Sequence, residues 1–189
     1  MEFRRASQAD YAGLYDLQNR NLGSVLTRSE KSDGFLSAGF EPDEFKALND
    51  DLCVVVCAEK EEILGFLVAS TTEFNKAFPL PRTMIERYHD SIYEDKTLDS
   101  FCSYLSGPVC VEKTQRGKGI FEGMYDKLFD LLPAQYELAV TLVANDNPRS
   151  LNAHQKIGFK PISQFMFNGR TFNILAMRTK KAIAAKSEK

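Results

Sequence analysis

The spacing of apolar and polar residues along the chain predicts a mixture of strands and helices. Two dense apolar runs, at residues 52–58 and 63–69, are joined by a charged turn and predict a β-hairpin. Apolar residues spaced three and four positions apart instead predict an amphipathic helix, and they are Phe121, Met124, Tyr125, Leu128, Phe129 and Leu132.

Capping and turn residues mark the ends of elements in the first part of the chain. Residues 3–6 are a predicted strand, and Ser7 followed by Asp10 predicts a capping box that begins a helix. Residues 20–40 are predicted to be a loop because Ser and Gly are frequent there, and a helix is predicted over residues 42–50. Residues 74–104 interrupt the succession of predicted strands and helices, and they are interpreted as a partly helical insertion.

Apolar runs and capping residues also predict the elements of residues 108–158. Strands are predicted at residues 108–111 and 136–144, before and after the amphipathic helix. The next helix is framed by Asn147, which fits an N-cap, and by Gly158, which fits the left-handed residue that ends a helix.

The end of the chain carries a hairpin signal. The pair Asn168 and Gly169 separates apolar runs at residues 162–167 and 170–177, and this pair favours a tight β-turn. The basic and alanine-rich tail beyond Arg178 is predicted to fray.

Length and composition restrict the class of protein. With 189 residues, 43% of them hydrophobic, the chain can bury one core, so a single domain over residues 1–189 is predicted. A net charge of −2 lacks the basic excess that attracts nucleic acid or an anionic membrane, so neither is an expected partner. The four cysteines and two histidines show no metal-ligand spacing, so no metal is expected. Neither a signal-like apolar start nor a run of about 18 apolar residues occurs, which predicts a cytoplasmic protein.

The turn before the amphipathic helix carries the candidate chemistry. It consists of Arg116, Gly117, Lys118, Gly119, Ile120 and Phe121. A glycine-rich turn that leads into a helix exposes backbone N–H groups at the positive end of the helix dipole, which suits a phosphate. A plain tight connection explains two glycines equally well.

Two common phosphate-binding loops do not fit this turn. A Walker loop requires Ser or Thr after Gly-Lys, whereas Lys118 is followed by Gly119. The dinucleotide fingerprint fails because the third glycine, Gly123, comes one position too late.

The turn resembles the cofactor loop of the GNAT acetyltransferases, R/Q-x-x-G-x-G/A, with Phe121 in place of the last glycine or alanine. Val111, five residues before Arg116, matches the strand that offers backbone groups to the pantetheine arm in that family. Residues 147–159, NPRSLNAHQKIGF, resemble the family's N-x-R-A/S…Y-x-K-x-G-F segment. Two matches in this order are more specific than either one.

This resemblance implies a fold. It is an α/β (α+β) fold with a mixed, mostly antiparallel central sheet of about seven strands and helices on both faces. The fourth and fifth strands splay apart and admit the pantetheine. The helical insertion at 74–104, between the third and fourth strands, is the main departure from the family.

The resemblance also implies roles for the loop. Acetyl-CoA is the expected cosubstrate, and the backbone amides from Arg116 to Phe121 are expected to hold its diphosphate. Arg116 and Lys118 are expected to act as flexible charge partners of the phosphates, although surface basic residues often serve solubility alone. Asn147 is expected to contact the cofactor arm as well as to cap its helix, and capping alone explains it equally well.

Two residues are candidates for proton transfer. His154 stands where the family usually has a tyrosine near the cofactor sulfur, and an imidazolium with a pKa near 6.5 can protonate a departing thiolate. A packed histidine is the alternative. Glu112, at the end of the cofactor strand, is the candidate base, and an exposed strand-end acid is the alternative.

The implied function is N-acetyl transfer from acetyl-CoA to a primary amine, by direct attack in a ternary complex. The expected acceptor is a small-molecule amine or a peptide amino group. A homodimer is a possible assembly. A non-catalytic acyl-CoA-binding module on the same fold is the alternative, because His154 replaces the tyrosine and no base is obvious.

Overall fold

The first part of the chain forms three strands and three helices. In this computed structural model, residues 1–180, 182 and 183 are described. The elements are β1 (Glu2–Arg5), a 3₁₀ turn (Gln8–Asp10), α1 (Tyr11–Asn21), α2 (Arg28–Lys31), α3 (Pro42–Asp51), β2 (Cys53–Glu59) and β3 (Glu62–Thr71). The predicted hairpin over residues 52–69 is confirmed as β2 and β3, which pair antiparallel.

The remaining elements follow in chain order, and the first four are short. They are α4 (Thr72–Asn75), α5 (Pro79–Ile85), β4 (Ile92–Tyr93), β5 (Lys96–Thr97), β6 (Ser103–Val111), α6 (Ile120–Leu131), β7 (Leu138–Ala144), α7 (Pro148–Lys156), β8 (Lys160–Phe167) and β9 (Arg170–Arg178). None of the helices in the described residues is both long and apolar enough to cross a membrane.

Seven of the strands form one sheet in the order β1-β2-β3-β6-β7-β9-β8. The ladders β1–β2, β2–β3, β7–β9 and β8–β9 are antiparallel, and the ladder between β6 and β7 is parallel. That parallel ladder has three residue pairs, from Ser103 with Leu138 to Leu105 with Val140. The mixed, mostly antiparallel seven-stranded sheet is therefore confirmed, whereas the splay of its fourth and fifth strands, β6 and β7, stays a prediction.

The chain forms two compact units, and β6 contributes to both. Unit 1 consists of Met1–Ala69 and Ser106–Leu132. In it α6 packs against β1 and β2, and α3 packs against α1 and β2. The rings of Phe45 and Phe66 meet edge to face at 5.6 Å between centroids, and both are fully buried. This core holds the end of β6 and the start of α6.

The capping box predicted at the start of the chain is present in unit 1. The Ser7 N–H donates to Asp10 Oδ2 over 2.7 Å, and Arg4 donates to both oxygens of the same carboxylate. The hydrogen bonds from Arg4 outweigh burial and lower the pKa of Asp10 to about 2. The box begins the 3₁₀ turn, and α1 follows it directly.

Unit 2 consists of Ser70–Leu105 and the chain from Pro133 onward. The predicted insertion packs here on β8, and Ser91 Oγ lies 2.7 Å from Ser163 Oγ. Several of its large side chains are buried, among them Met84, Tyr88, Tyr93, Leu98 and Phe101. The Arg178 guanidinium of β9 lies 4.7 Å from the Phe101 ring centroid and binds Glu94, so β9 is tied to the insertion.

Two sequence-based boundaries are wrong. Residues 20–40 are not all loop, because α1 continues to Asn21 and α2 forms over Arg28–Lys31 behind a capping box made by Thr27 and Glu30. The insertion ends earlier than residue 104, since β6 begins at Ser103 and not at residue 108. The pair Gly107 and Pro108, which in a sequence usually indicates a loop, lies inside this strand.

The terminal hairpin is confirmed, with Asn168 and Gly169 at φ values of 47° and 74° between β8 and β9. Beyond Arg178, Thr179 accepts the backbone N–H of Ile183. The rest of the predicted frayed tail, residue 181 and residues 184–189, lies outside the described residues. The single-domain interpretation stays a prediction.

Candidate active site

The predicted order of strand, glycine-rich turn and helix is confirmed in unit 1. After β6 ends at Val111, a 3₁₀ turn over Lys113–Gln115 leads to the turn, and α6 begins at Ile120. Gly117 and Gly119 have φ values of 80° and 79°, which L side chains rarely adopt. The turn can therefore reverse the chain within a few residues because both positions are glycine.

The turn presents its main chain to solvent. Gly117, Lys118 and Gly119 are exposed, and a Cβ added at either glycine would meet no atom within 4 Å. Gly119 is the N-cap of α6 and has no side chain to accept the first helical N–H groups. Within residues 1–180, 182 and 183 we find no protein acceptor for the N–H groups of Gly119 and Ile120. The start of α6 thus offers donors at the positive end of a 12-residue helix.

The Arg116 side chain is held inside unit 1. Its Nε donates to the Val111 carbonyl over 3.0 Å and its Nη2 donates to Asn21 Oδ1 over 2.9 Å. Its Nη1 donates to the Asp33 carbonyl. All three nitrogens are bound to protein oxygens, so the side chain is held and not flexible, and its role as a charge partner of the cofactor phosphates stays a prediction.

The other side chains of the turn face different environments. Lys118 is exposed, and its Nζ lies 2.8 Å from Gln115 Oε1. Ile120 is 1% exposed and belongs to the core, so only its main chain is available at the turn. The half-buried Phe121 ring packs against Tyr125 with centroids 5.1 Å apart. The bulky residue at the last motif position is thereby directed along α6.

Glu112 caps the 3₁₀ turn that follows β6. One carboxylate oxygen accepts the Lys113 N–H over 2.7 Å, and the other lies 3.0 Å from Arg20 Nη2. Glu112 is half-buried and Arg20 is 60% exposed. The candidate base is therefore bound to a cation that can move into solvent.

Asn147 and His154 lie in unit 2, on α7. Asn147 is 3% exposed, and its Oδ1 accepts the Ser150 N–H over 3.2 Å. Pro148 occupies the first turn of the helix, and Gly158 has a φ of 110° just beyond its end. The predicted capping role of Asn147 is confirmed, and its contact with a cofactor stays a prediction.

Replacing the Asn147 cap should weaken α7. We expect Asn147→Ala to lower the free energy of unfolding by about 1 kcal/mol, because the Ser150 N–H loses its acceptor. Asn147→Ser, which keeps a capping oxygen, should retain most of the stability. Urea unfolding of the three proteins measures this difference, and equal midpoints for all three would contradict the capping role.

His154 is buried, with 2% of its surface exposed, and its ring meets Phe159 edge to face at 5.3 Å. Nδ1 lies 2.8 Å from the Ser150 carbonyl, which can only accept, so Nδ1 carries the proton. Burial lowers the pKa of His154 to about 4, and the hydrogen bond to Ser150 opposes this only in part. The premise of an imidazolium with a pKa near 6.5 is therefore wrong, although the acid role itself stays a prediction.

The sequence did not indicate the residues that bind Arg116. Asn21 and Asp33 are separated from it by 95 and 83 positions, and neither belongs to a recognisable motif. Only the folded chain brings them to the end of β6. A capping box at Thr27 and Glu30 was the one local signal in this region, and it marks α2.

Comparison with known proteins decides the family. The model of the acetyltransferase (GNAT) family matches residues 13–159, which includes β6, the glycine-rich turn, α6 and α7. The chain belongs to the GNAT acetyltransferase family. No curated protein matches it in sequence.

Solved GNAT-like structures share the fold at low sequence identity. An N-acetyltransferase from Staphylococcus aureus Mu50 is 17% identical with a TM-score of 0.64, covering 95% of this chain and 98% of that chain. The yncA protein of Salmonella typhimurium, solved with its cofactor acetyl-CoA, is 15% identical with a TM-score of 0.60, covering 95% and 94%. Arabidopsis thaliana NAA60, solved with a bisubstrate analogue, is 12% identical with a TM-score of 0.63, covering 95% and 98%. These similarities concern the fold of the GNAT domain.

Proposed function

We propose that this GNAT protein transfers an acetyl group from acetyl-CoA to a primary amine by direct attack in a ternary complex. The observation that carries the proposal is the set of main-chain N–H donors at the start of α6, beside Gly117 and Gly119. Family membership and the acetyl-CoA bound to yncA support the same cosubstrate. A cytoplasmic location belongs to this proposal as well.

The turn fits a diphosphate by its shape and polarity. Among the described residues, no atom lies within 4 Å of a Cβ built on Gly117 or Gly119, which leaves room for a phosphate beside the turn. Backbone donors that are already in place need no rearrangement when an anion binds, which favours affinity. We assign the donors to residues 116–121 and an auxiliary, solvent-exposed charge to Lys118.

When bound, acetyl-CoA supplies an acetyl group activated as a thioester. We propose that the main chain of Val111 orients the pantetheine arm and that nearby strand N–H groups polarise the thioester carbonyl. Glu112 is the proposed base that takes a proton from the acceptor ammonium, through water, when Arg20 moves into solvent. His154 stays the proposed acid for the departing thiolate, and water is the alternative proton donor, because the neutral ring holds its only proton on Nδ1 against Ser150.

A second candidate function is an acyl-CoA-binding module without activity. The buried, neutral state of His154 favours it, since the usual proton donor of the family is replaced by a group that is uncharged at neutral pH. The turn and α6 would serve such a module equally well.

Acetyl-CoA turnover separates the two functions. The full chain is incubated with acetyl-CoA and a panel of polyamines, small amines and peptides with free amino termini, and free thiol is measured. We expect thiol release above hydrolysis with at least one amine, and a large decrease in turnover for Glu112→Gln. Stabilisation by CoA without turnover on any acceptor would favour the binding module.

A further inference from the structure

The guanidinium of Arg116 connects three parts of unit 1. It binds the last residue of β6 through Val111, the last turn of α1 through Asn21, and the chain after α2 through Asp33. We call residues 27–34, which contain α2, the α2 segment. Arg116 directly precedes Gly117, so the same side chain connects the proposed cofactor turn to this segment.

The partners of Arg116 are themselves held in place. Asn21 is 8% exposed, and its Nδ2 donates to the Leu17 carbonyl over 2.9 Å, which orients Oδ1 as an acceptor. The α2 segment begins with its capping box and ends at Gly34, whose N–H donates to the Lys31 carbonyl. The segment is therefore a compact piece that joins the turn through its Asp33 carbonyl.

Other polar contacts in the same area contribute less. Lys113 Nζ lies 2.8 Å from Asp33 Oδ2, but the two side chains are 57% and 43% exposed. Ion pairs that are this exposed add little to stability, whereas charged hydrogen bonds with buried or half-buried partners add more. Of these two connections to Asp33, the hydrogen bond of Arg116 is thus the stronger.

We propose that Arg116 is a positioning residue that couples docking of the α2 segment to CoA binding at the turn. Fixing the backbone of residues 117–120 against a diphosphate also fixes the adjacent residue 116, and its guanidinium then retains the segment. By linkage, a docked segment must increase CoA affinity by the same factor by which CoA favours docking. This inference rests on the proposed binding of CoA.

Limited proteolysis measures docking directly. Trypsin can cut after Arg28 and Lys31 within the segment, and mass spectrometry identifies these cuts. For the unsubstituted protein we expect saturating CoA to slow cleavage at both sites by about fivefold or more. For Arg116→Gln we expect faster cleavage without CoA and no protection at saturating CoA, with CoA affinity lowered by a similar factor.

Three further variants and circular dichroism complete the test. Asn21→Ala removes one acceptor from the other side and should reduce protection, while the double variant should be no worse than Arg116→Gln. Lys113→Gln is the matched control and should keep full protection, since its ion pair is exposed. Circular dichroism verifies that each variant is folded.

The outcomes distinguish this inference from the proposed function. Protection of Arg116→Gln equal to that of the unsubstituted protein overturns the coupling. Loss of protection in Lys113→Gln overturns the assignment to Arg116. If CoA neither stabilises nor protects the unsubstituted protein, the proposed binding of CoA itself is wrong.

Discussion

Gly119→Asp should abolish the stabilisation of the protein by CoA while leaving the unliganded protein folded. The substitution places a carboxylate at the N-cap of α6, beside the N–H groups proposed to hold the diphosphate. A like charge in such contact costs several kcal/mol, so we expect CoA to bind about 100-fold more weakly or worse. Unliganded stability should change little, because an acid at a helix N-terminus offsets part of the strain of a φ of 79°.

Two variants isolate the charge in that experiment. Gly119→Asn has nearly the same shape, tolerates positive φ and is neutral, so it should keep a reduced thermal shift with CoA. Gly169→Asp puts the same side chain at a φ of 74° in the β8–β9 turn, also in open space, and should keep the full shift. A full shift for Gly119→Asp would show that the diphosphate binds elsewhere.

The free energy of unfolding should fall by about 3 kcal/mol as the pH is lowered from 6.5 to about 4, through His154. The pKa of this histidine is about 4 in the folded protein, against 6.5 when it is exposed. Between these values the unfolded chain binds a proton and the folded chain does not, so acid favours unfolding. Above pH 6.5 both states are neutral and the contribution is complete and constant.

A variant without His154 tests the source of this slope. His154→Gln should unfold with a much smaller pH dependence between about pH 6.5 and 4.5, whatever its stability at neutral pH. His89→Gln is the matched control, because the His89 side chain is 64% exposed and should leave the slope unchanged. Asp10 loses its own contribution mainly below its ordinary pKa of 3.8, so it adds little between about pH 6.5 and 4.5. Urea unfolding at several pH values provides the measurement, and an unchanged slope in His154→Gln would contradict the buried state.

Much of the fold could be predicted from local sequence signals, because the hairpins and helix caps form where those signals occur. The β2–β3 hairpin, the capping box at Ser7 and the cap at Asn147 depend on residues close in sequence, and they were recognised. The start of β6 was missed because a glycine and a proline inside a strand imitate a loop. The start of β6 is fixed by its pairing with β7, which the local sequence pattern does not show.

The main chain of the candidate site could be predicted, but its side chains could not. Glycines at the turn require positive φ, and the sequence shows them directly. The state of His154 depends on burial by distant residues, and the bonds of Arg116 depend on residues more than 80 positions away. The protonation state of a side chain and the partners it can bind depend on tertiary packing, and a short sequence motif does not contain that information.

Phe121 shows that the last position of the turn can carry a bulky side chain while the turn keeps its backbone shape. The ring leans on Tyr125 along α6, so the departure from glycine or alanine is absorbed by packing on the helix surface. What the turn offers a ligand is a series of peptide groups, and every residue type except proline carries the same donor. A signature that compares residue types will therefore underrate such a turn, since the donors it offers belong to the main chain.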